Sequence, residues 1–108
     1  MNKGQLGNMM KQIQQMQAQM EKIQAELEAM EIEGSSGGGM VKCVVNGKQE
    51  VLEITIDKEV VNPDDVEMLQ DLIVAAVNQA RQKAQEIQQE QMSQLTGGMN
   101  LPGLNLPF

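Results

Sequence analysis

The chain has no histidine, no tyrosine and no tryptophan, and its one cysteine is Cys43. Catalysis therefore has little to work with. One thiol without histidine excludes a disulfide framework and leaves no ordinary zinc ligand set, so Cys43 reads as a small buried hydrophobe. No glycine-rich loop runs into Lys-Ser or Lys-Thr at a helix start, and no serine stands in a nucleophile elbow. No apolar run approaches the roughly 18 residues that cross a bilayer, and no charged-then-apolar leader opens the chain. A soluble, cytoplasmic protein with no membrane partner is expected. Basic residues are scarce as well: 8 Lys and Arg stand against 15 Asp and Glu, a net charge of −7. That balance disfavours nucleic acid at first sight, because counterion release needs cations at the phosphates.

The charges are segregated along the chain, which weakens that objection. Residues 1–20 hold Lys3 and Lys11 and no acid, and residues 72–85 hold Arg81 and Lys83 and no acid. By contrast, residues 21–33 carry five glutamates against Lys22, and residues 59–71 carry Glu59, Asp64, Asp65, Glu67 and Asp71. Two acidic segments thus lie between two basic, acid-free ones.

What the chain does have is a heptad. Leu6, Met9, Ile13, Met16, Met20, Ile23, Leu27 and Met30 fall at alternating three- and four-residue steps, a narrow seam of the kind that meets a partner helix. It predicts an arm helix over residues 1–30, with Asn2 and Gln5 in the spacing of an N-terminal cap, about 37 Å long from Leu6 to Met30. A rod this long leaves little chain for a compact core, so a homo-oligomer, most simply a twofold dimer, is expected. Function belongs to surfaces here, not to a pocket.

A small antiparallel sheet is predicted over residues 31–57. Gly34-Ser35-Ser36-Gly37-Gly38-Gly39 breaks the helix and forms a turn or a bent strand. Asn46-Gly47 predicts a two-residue type I′ hairpin, which would set Val45 opposite Lys48, Cys43 opposite Glu50 and Val41 opposite Leu52. Val41, Cys43, Val45, Leu52, Ile54 and Ile56 would then share the core face. Glu31-Ile32-Glu33 supplies a third strand, leaving sheet edges that a second copy could pair with. Asn62-Pro63, followed by Asp64 and Glu67, marks the start of a second helix over 62–96. Its first half (Val66, Leu69, Leu72, Ile73, Ala76, Val77, Ala80) should lie on the sheet, and its narrower second half (Ala84, Ile87, Leu95) should belong to the arm. Residues 97–108 form a tail, disordered or folded back on the arms. The fold class is α+β in one domain spanning 1–108.

Each local feature has a plainer reading beside the functional one. Gly37-Gly38-Gly39 leads into a strand, so it reads as a linker before a phosphate loop. Asp64, Asp65 and Glu67 sit where a helix dipole favours acids, so capping comes before metal binding. The methionines at a and d positions read as seam before client-binding surface. The arm glutamines are either a solvated face or DNA contacts. If the two helices rise antiparallel from the sheet, counting from Met30 and from Asp64 brings Lys11 and Lys83 to the same height. Arg81 would sit half a turn below them, and the acid-free segments would coincide on the distal arm.

Four strings in order, LGNMMKQIQQMQAQM (6–20), GGGMVKCVVNGKQEVLEITID (37–57), LQDLIVAAVNQA (69–80) and GGMNLPGLNLPF (97–108), resemble the YbaB/EbfC family of bacterial nucleoid-associated proteins. The resemblance runs nearly end to end. It implies a tweezer-shaped homodimer of helical arms on a small sheet, binding duplex DNA with modest or no sequence preference, and it carries over no catalytic residue. The expectation is a non-enzymatic protein of the nucleoid whose Lys3, Lys11, Arg81 and Lys83 contact DNA phosphates, with no cofactor, metal or small-molecule substrate. The alternative is a holdase-type chaperone or coiled-coil adaptor using Met-rich arms.

Overall fold

The computed structural model describes residues 3–95, with side chains from Gly4 onward. The Asn2 cap, the Lys3 side chain and the 97–108 tail fall outside the described residues. In chain order the elements are α1 (Lys3–Ala29), β1 (Ile32–Ser36), β2 (Val41–Val45), β3 (Val51–Ile56) and α2 (Val66–Leu95). Short 3-10 turns lie at Gly37–Gly39 and Lys58–Val60. The sheet is antiparallel in the order β1-β2-β3, so the predicted α+β arrangement is present. The shape is drawn out, 74 × 27 × 16 Å with a radius of gyration of 20.4 Å, where a compact domain of this length would have about 13 Å.

β1 runs further than the sequence suggested and takes in Gly34, Ser35 and Ser36. The reversal is left to Gly37, Gly38 and Gly39, with φ of 59°, 68° and 94°, a left-handed run that side chains with a Cβ resist. Gly34 serves a different end. It faces α2 so closely that a Cβ there would lie 2.4 Å from the Ala80 nitrogen and 2.5 Å from the Ala76 oxygen. On the helix side Ala76, Ala80 and Ala84, one turn apart, are all fully buried. Small residues on both elements let the backbones touch.

The β2–β3 connection differs from the predicted two-residue hairpin. Val41 pairs with Ile56, Cys43 with Ile54 and Val44 with Glu53, and a bulge then sets Val45 opposite Val51. Residues 46–50 form a loop organised by the Asn46 side chain, which is 2% exposed. Its Oδ1 accepts the Lys48 and Glu50 N–H groups at 2.9 and 3.0 Å, and its Nδ2 donates to Glu50 Oε1 at 2.9 Å. These bonds satisfy the buried amide in a wider loop than type I′ geometry provides, and the positive φ falls on Gln49 (67°) instead of on Asn46 and Gly47. Gly47 is required for a separate reason. Its N–H donates to the Leu27 carbonyl at 2.7 Å, and a Cβ would come within 2.7–2.9 Å of three Leu27 atoms. The loop is the socket that holds the end of α1.

The core is thin: Ile32, Val41, Cys43, Val45, Val60, Ala76, Ala80 and Ala84, flanked by Leu69, Leu72, Ile73, Val77 and Ile87. Cys43 is buried as expected, and burial pushes its thiol pKa up. α2 lies over β1 and β2 and extends its packing through Ala84, beyond the predicted limit at Ala80. It leaves β3 largely uncovered. Val51, Leu52 and Ile54 are therefore 47%, 53% and 42% exposed, a departure from the expected core placement of Leu52 and Ile54. The helix also starts later than Asn62-Pro63 suggested. Asn62 closes a turn by accepting the Asp64 N–H, and the cap is Asp65, whose Oδ1 accepts the Met68 N–H. Val66 thus falls in the first turn and stays exposed.

Candidate nucleic-acid interface

A helix of 27 residues is about 40 Å long, and among the described residues of α1 the one fully buried side chain is Leu27 near its base, packed against Gly47. From Gly4 to Gln19 every residue is exposed, a rod of about 24 Å. The seam residues Leu6, Met9, Ile13 and Met16 are 51%, 47%, 54% and 48% exposed among the described residues. Lys11 lies on this rod, and no acid shares it. The exposed acids begin at Glu21 and continue through Glu26, Glu28, Glu31 and Glu33 toward the sheet.

The two helices meet over a short stretch. Gln49 Nε2 donates to Gln88 Oε1 at 3.4 Å beside the loop that holds Leu27. Further out, Gln19, Lys22, Ile23 and Glu26 of α1 face Gln91, Gln94 and Leu95 of α2 across a shallow cleft. Leu95 is therefore level with the middle of α1, and Lys11 stands about 12 Å beyond Gln19. Lys83 lies about 18 Å back from Leu95, with its Nζ donating to the Glu33 carbonyl of β1 at 2.9 Å.

This overturns the inference that Lys11 and Lys83 share a height. They are separated by about 30 Å along the long axis, because α2 spends its first five turns crossing the sheet before it reaches α1. Arg81 is exposed, but two residues from Lys83 means about 200° around the helix, so the pair occupies opposite flanks of α2. The structure brings none of Lys11, Arg81 and Lys83 together, and the Lys3 side chain falls outside the described residues. Lys42, exposed on the sheet face turned away from α2, is a further cation, and strand alternation had placed it there without marking it as functional.

The base is acidic on its surface. Asp65, Glu67 and Asp71 line an open depression with Met68 and Leu72 at the start of α2. Asp65 is occupied as a cap, and no group of His, Cys, Asp and Glu among the described residues is arranged to hold a metal ion. No described helix is long and apolar enough to cross a membrane.

Comparison with known proteins bears on these surfaces. The sequence model of the YbaB/EbfC DNA-binding family matches residues 1–99. A nucleoid-associated protein of Geobacillus kaustophilus is 58% identical over 107 residues, covering 96% of this chain and 99% of its own. One from Desulforamulus reducens is 53% identical over 104 residues with the same coverage. In three dimensions the chain is similar to the crystal structure of an uncharacterised Helicobacter pylori protein, HP0035, with a TM-score of 0.75 over 90% of this chain and 99% of that one. At 24% identity this last likeness speaks for the fold alone.

Proposed function

Because this chain belongs to the YbaB/EbfC DNA-binding family, we propose that it works as a non-enzymatic nucleoid protein of the bacterial cytoplasm, binding duplex DNA as a homodimer with little sequence preference. The observation that carries the reading is the acid-free rod of α1, bearing Lys3 and Lys11 and standing clear of an acidic base. A duplex approaching the rod meets cations first, while the glutamates near the sheet repel it. Contacts from long, exposed basic side chains to phosphates position a duplex without reading bases, which accounts for weak sequence preference. Arg81 and Lys83 are the second pair of proposed phosphate contacts, reached by a different part of the duplex or by a second duplex.

Homodimerisation is supported by what the single chain leaves uncovered. Val51, Leu52 and Ile54 of β3, with Val66 and Val74 of α2, are between 42% and 57% exposed, and the core behind them is thin. A second copy covering β3 buries its exposed residues and holds two rods apart. The four proposed contacts per chain give at most eight per dimer, and if about four meet phosphates, log affinity falls with log salt at a slope near −3.6. Gel-shift titration of one duplex at several salt concentrations, with a second duplex of unrelated sequence, tests the reading. A shallow salt slope and similar affinity for both duplexes are expected. Binding that ignores salt, or that requires one sequence, contradicts it.

A further inference from the structure

The sheet has two edges, and α2 treats them differently. Along β1 the alternation of the ladder turns the backbone groups of Glu33 and Ser35 away from β2. Both are occupied. The Ser35 N–H donates to Gln79 Oε1 at 2.7 Å, and the Glu33 carbonyl accepts from Lys83 Nζ at 2.9 Å. Gln79 and Lys83 are four residues apart and so lie one above the other on one flank of α2. Ser36 Oγ, donating to the Leu72 carbonyl, ties the far end of the strand to the same helix. Along β3 the Asp57 N–H donates to the Met40 carbonyl. The groups of Glu53 and Thr55 therefore turn inward to β2, and those of Leu52 and Ile54 turn outward. No hydrogen bond from a side chain of the described residues closes this second edge.

Resting on the homodimer reading above, we infer that Gln79 and Lys83 guard the β1 edge and confine self-association to β3. The symmetry of the alternatives makes the guard matter. Joining β3 to a second β3 is isologous and closes at two copies, whereas joining β1 to β3 of the next copy is heterologous and leaves a free edge for another chain. Two side chains one turn apart, supplying one acceptor and one donor at the matching backbone groups, block the open-ended mode. Lys83 thereby has a task beyond its charge, and Gln79, which no charge argument singles out, acquires one.

The test is sedimentation of full-length Gln79→Ala/Lys83→Met across the micromolar range beside wild type, without DNA, with far-UV circular dichroism to confirm the fold. Wild type is expected at two copies. The folded double variant is expected at four or more, growing with concentration, and Ser35→Pro added to it should return the mass to two copies, because proline removes the freed donor from the edge. A folded double variant that remains at two copies overturns the guard. Wild type sedimenting as one copy overturns the homodimer reading, and the guard is then judged on whether the variant associates where wild type does not. If the double variant loses helicity, Lys83→Met alone is measured, and no added mass at any concentration counts against the inference.

Discussion

Residues 4–19 of α1 and the contact between β1 and α2 lie at opposite ends of one small chain and are built on opposite terms. On the rod, no side chain is buried and five large apolar residues, Leu6, Met9, Met10, Ile13 and Met16, face solvent. At the contact, two backbones approach so closely that a single methyl group has no room. The rod's helix is stabilised by its own hydrogen bonds and by whatever covers its seam in an assembly, since isolated helices of this length are marginal. The sheet and α2 are stabilised by exclusion of water from a thin, close-packed layer. The lesson is that the same residue type has different meanings in the two regions, and glycine exposes this most directly.

Gly34→Ala should have the largest effect of the glycine substitutions, because the new Cβ meets the backbone of α2 at 2.4–2.8 Å and neither partner can move alone. A loss of about 3 kcal/mol in denaturant unfolding is expected; a change under about 1 kcal/mol would show that the two backbones are not locked together at this contact. Gly47→Ala comes next. Its Cβ would press on Leu27, prising the rod from its socket at a cost of about 2 kcal/mol, and DNA binding should fall only as far as folding falls. Loss of binding at unchanged melting temperature would place this loop on the DNA surface. Gly7→Ala should go the other way. Nothing lies within 4 Å of a Cβ there, so helix propensity alone acts, adding about 0.5–1 kcal/mol to local helix stability. Slower amide exchange over residues 4–16 would register it. Faster exchange would mean that the rod is packed against something at Gly7.

Much of this division was legible in the sequence. The heptad gave the rod, the Gly-Ser-Ser-Gly run and the strand pattern gave the sheet, and the alanines of α2 fell on its packing face, because periodicity is a local property that burial enforces. Three features were not legible, each because it depends on a partner distant in sequence. Asn46-Gly47 has the composition of a tight turn, yet the buried Asn46 side chain organises a wider loop and Leu27, some twenty residues away, sets the need for Gly47. Leu52 and Ile54 fit the core alternation, yet α2 does not reach over β3. Lys11 and Lys83 were matched by counting residues, but a helix lying across a sheet gains no height along the arm, and Lys83 ends at Glu33. The candidate site was legible as an excess of positive charge on the rod; where the α2 cations point was not.

In the proposed assembly the rod meets DNA and the base meets a second copy. The most direct measurement is the duplex affinity of Lys3→Glu/Lys11→Glu against Lys58→Glu at moderate salt, with sedimentation and circular dichroism on each. The rod variant is expected to lose binding by at least about tenfold while mass and helicity match wild type, and Lys58→Glu, a change near the acidic base, is expected to have a much smaller effect. A rod variant that binds like wild type, or a Lys58 variant that loses binding equally, would contradict this assembly and move the DNA surface to the base.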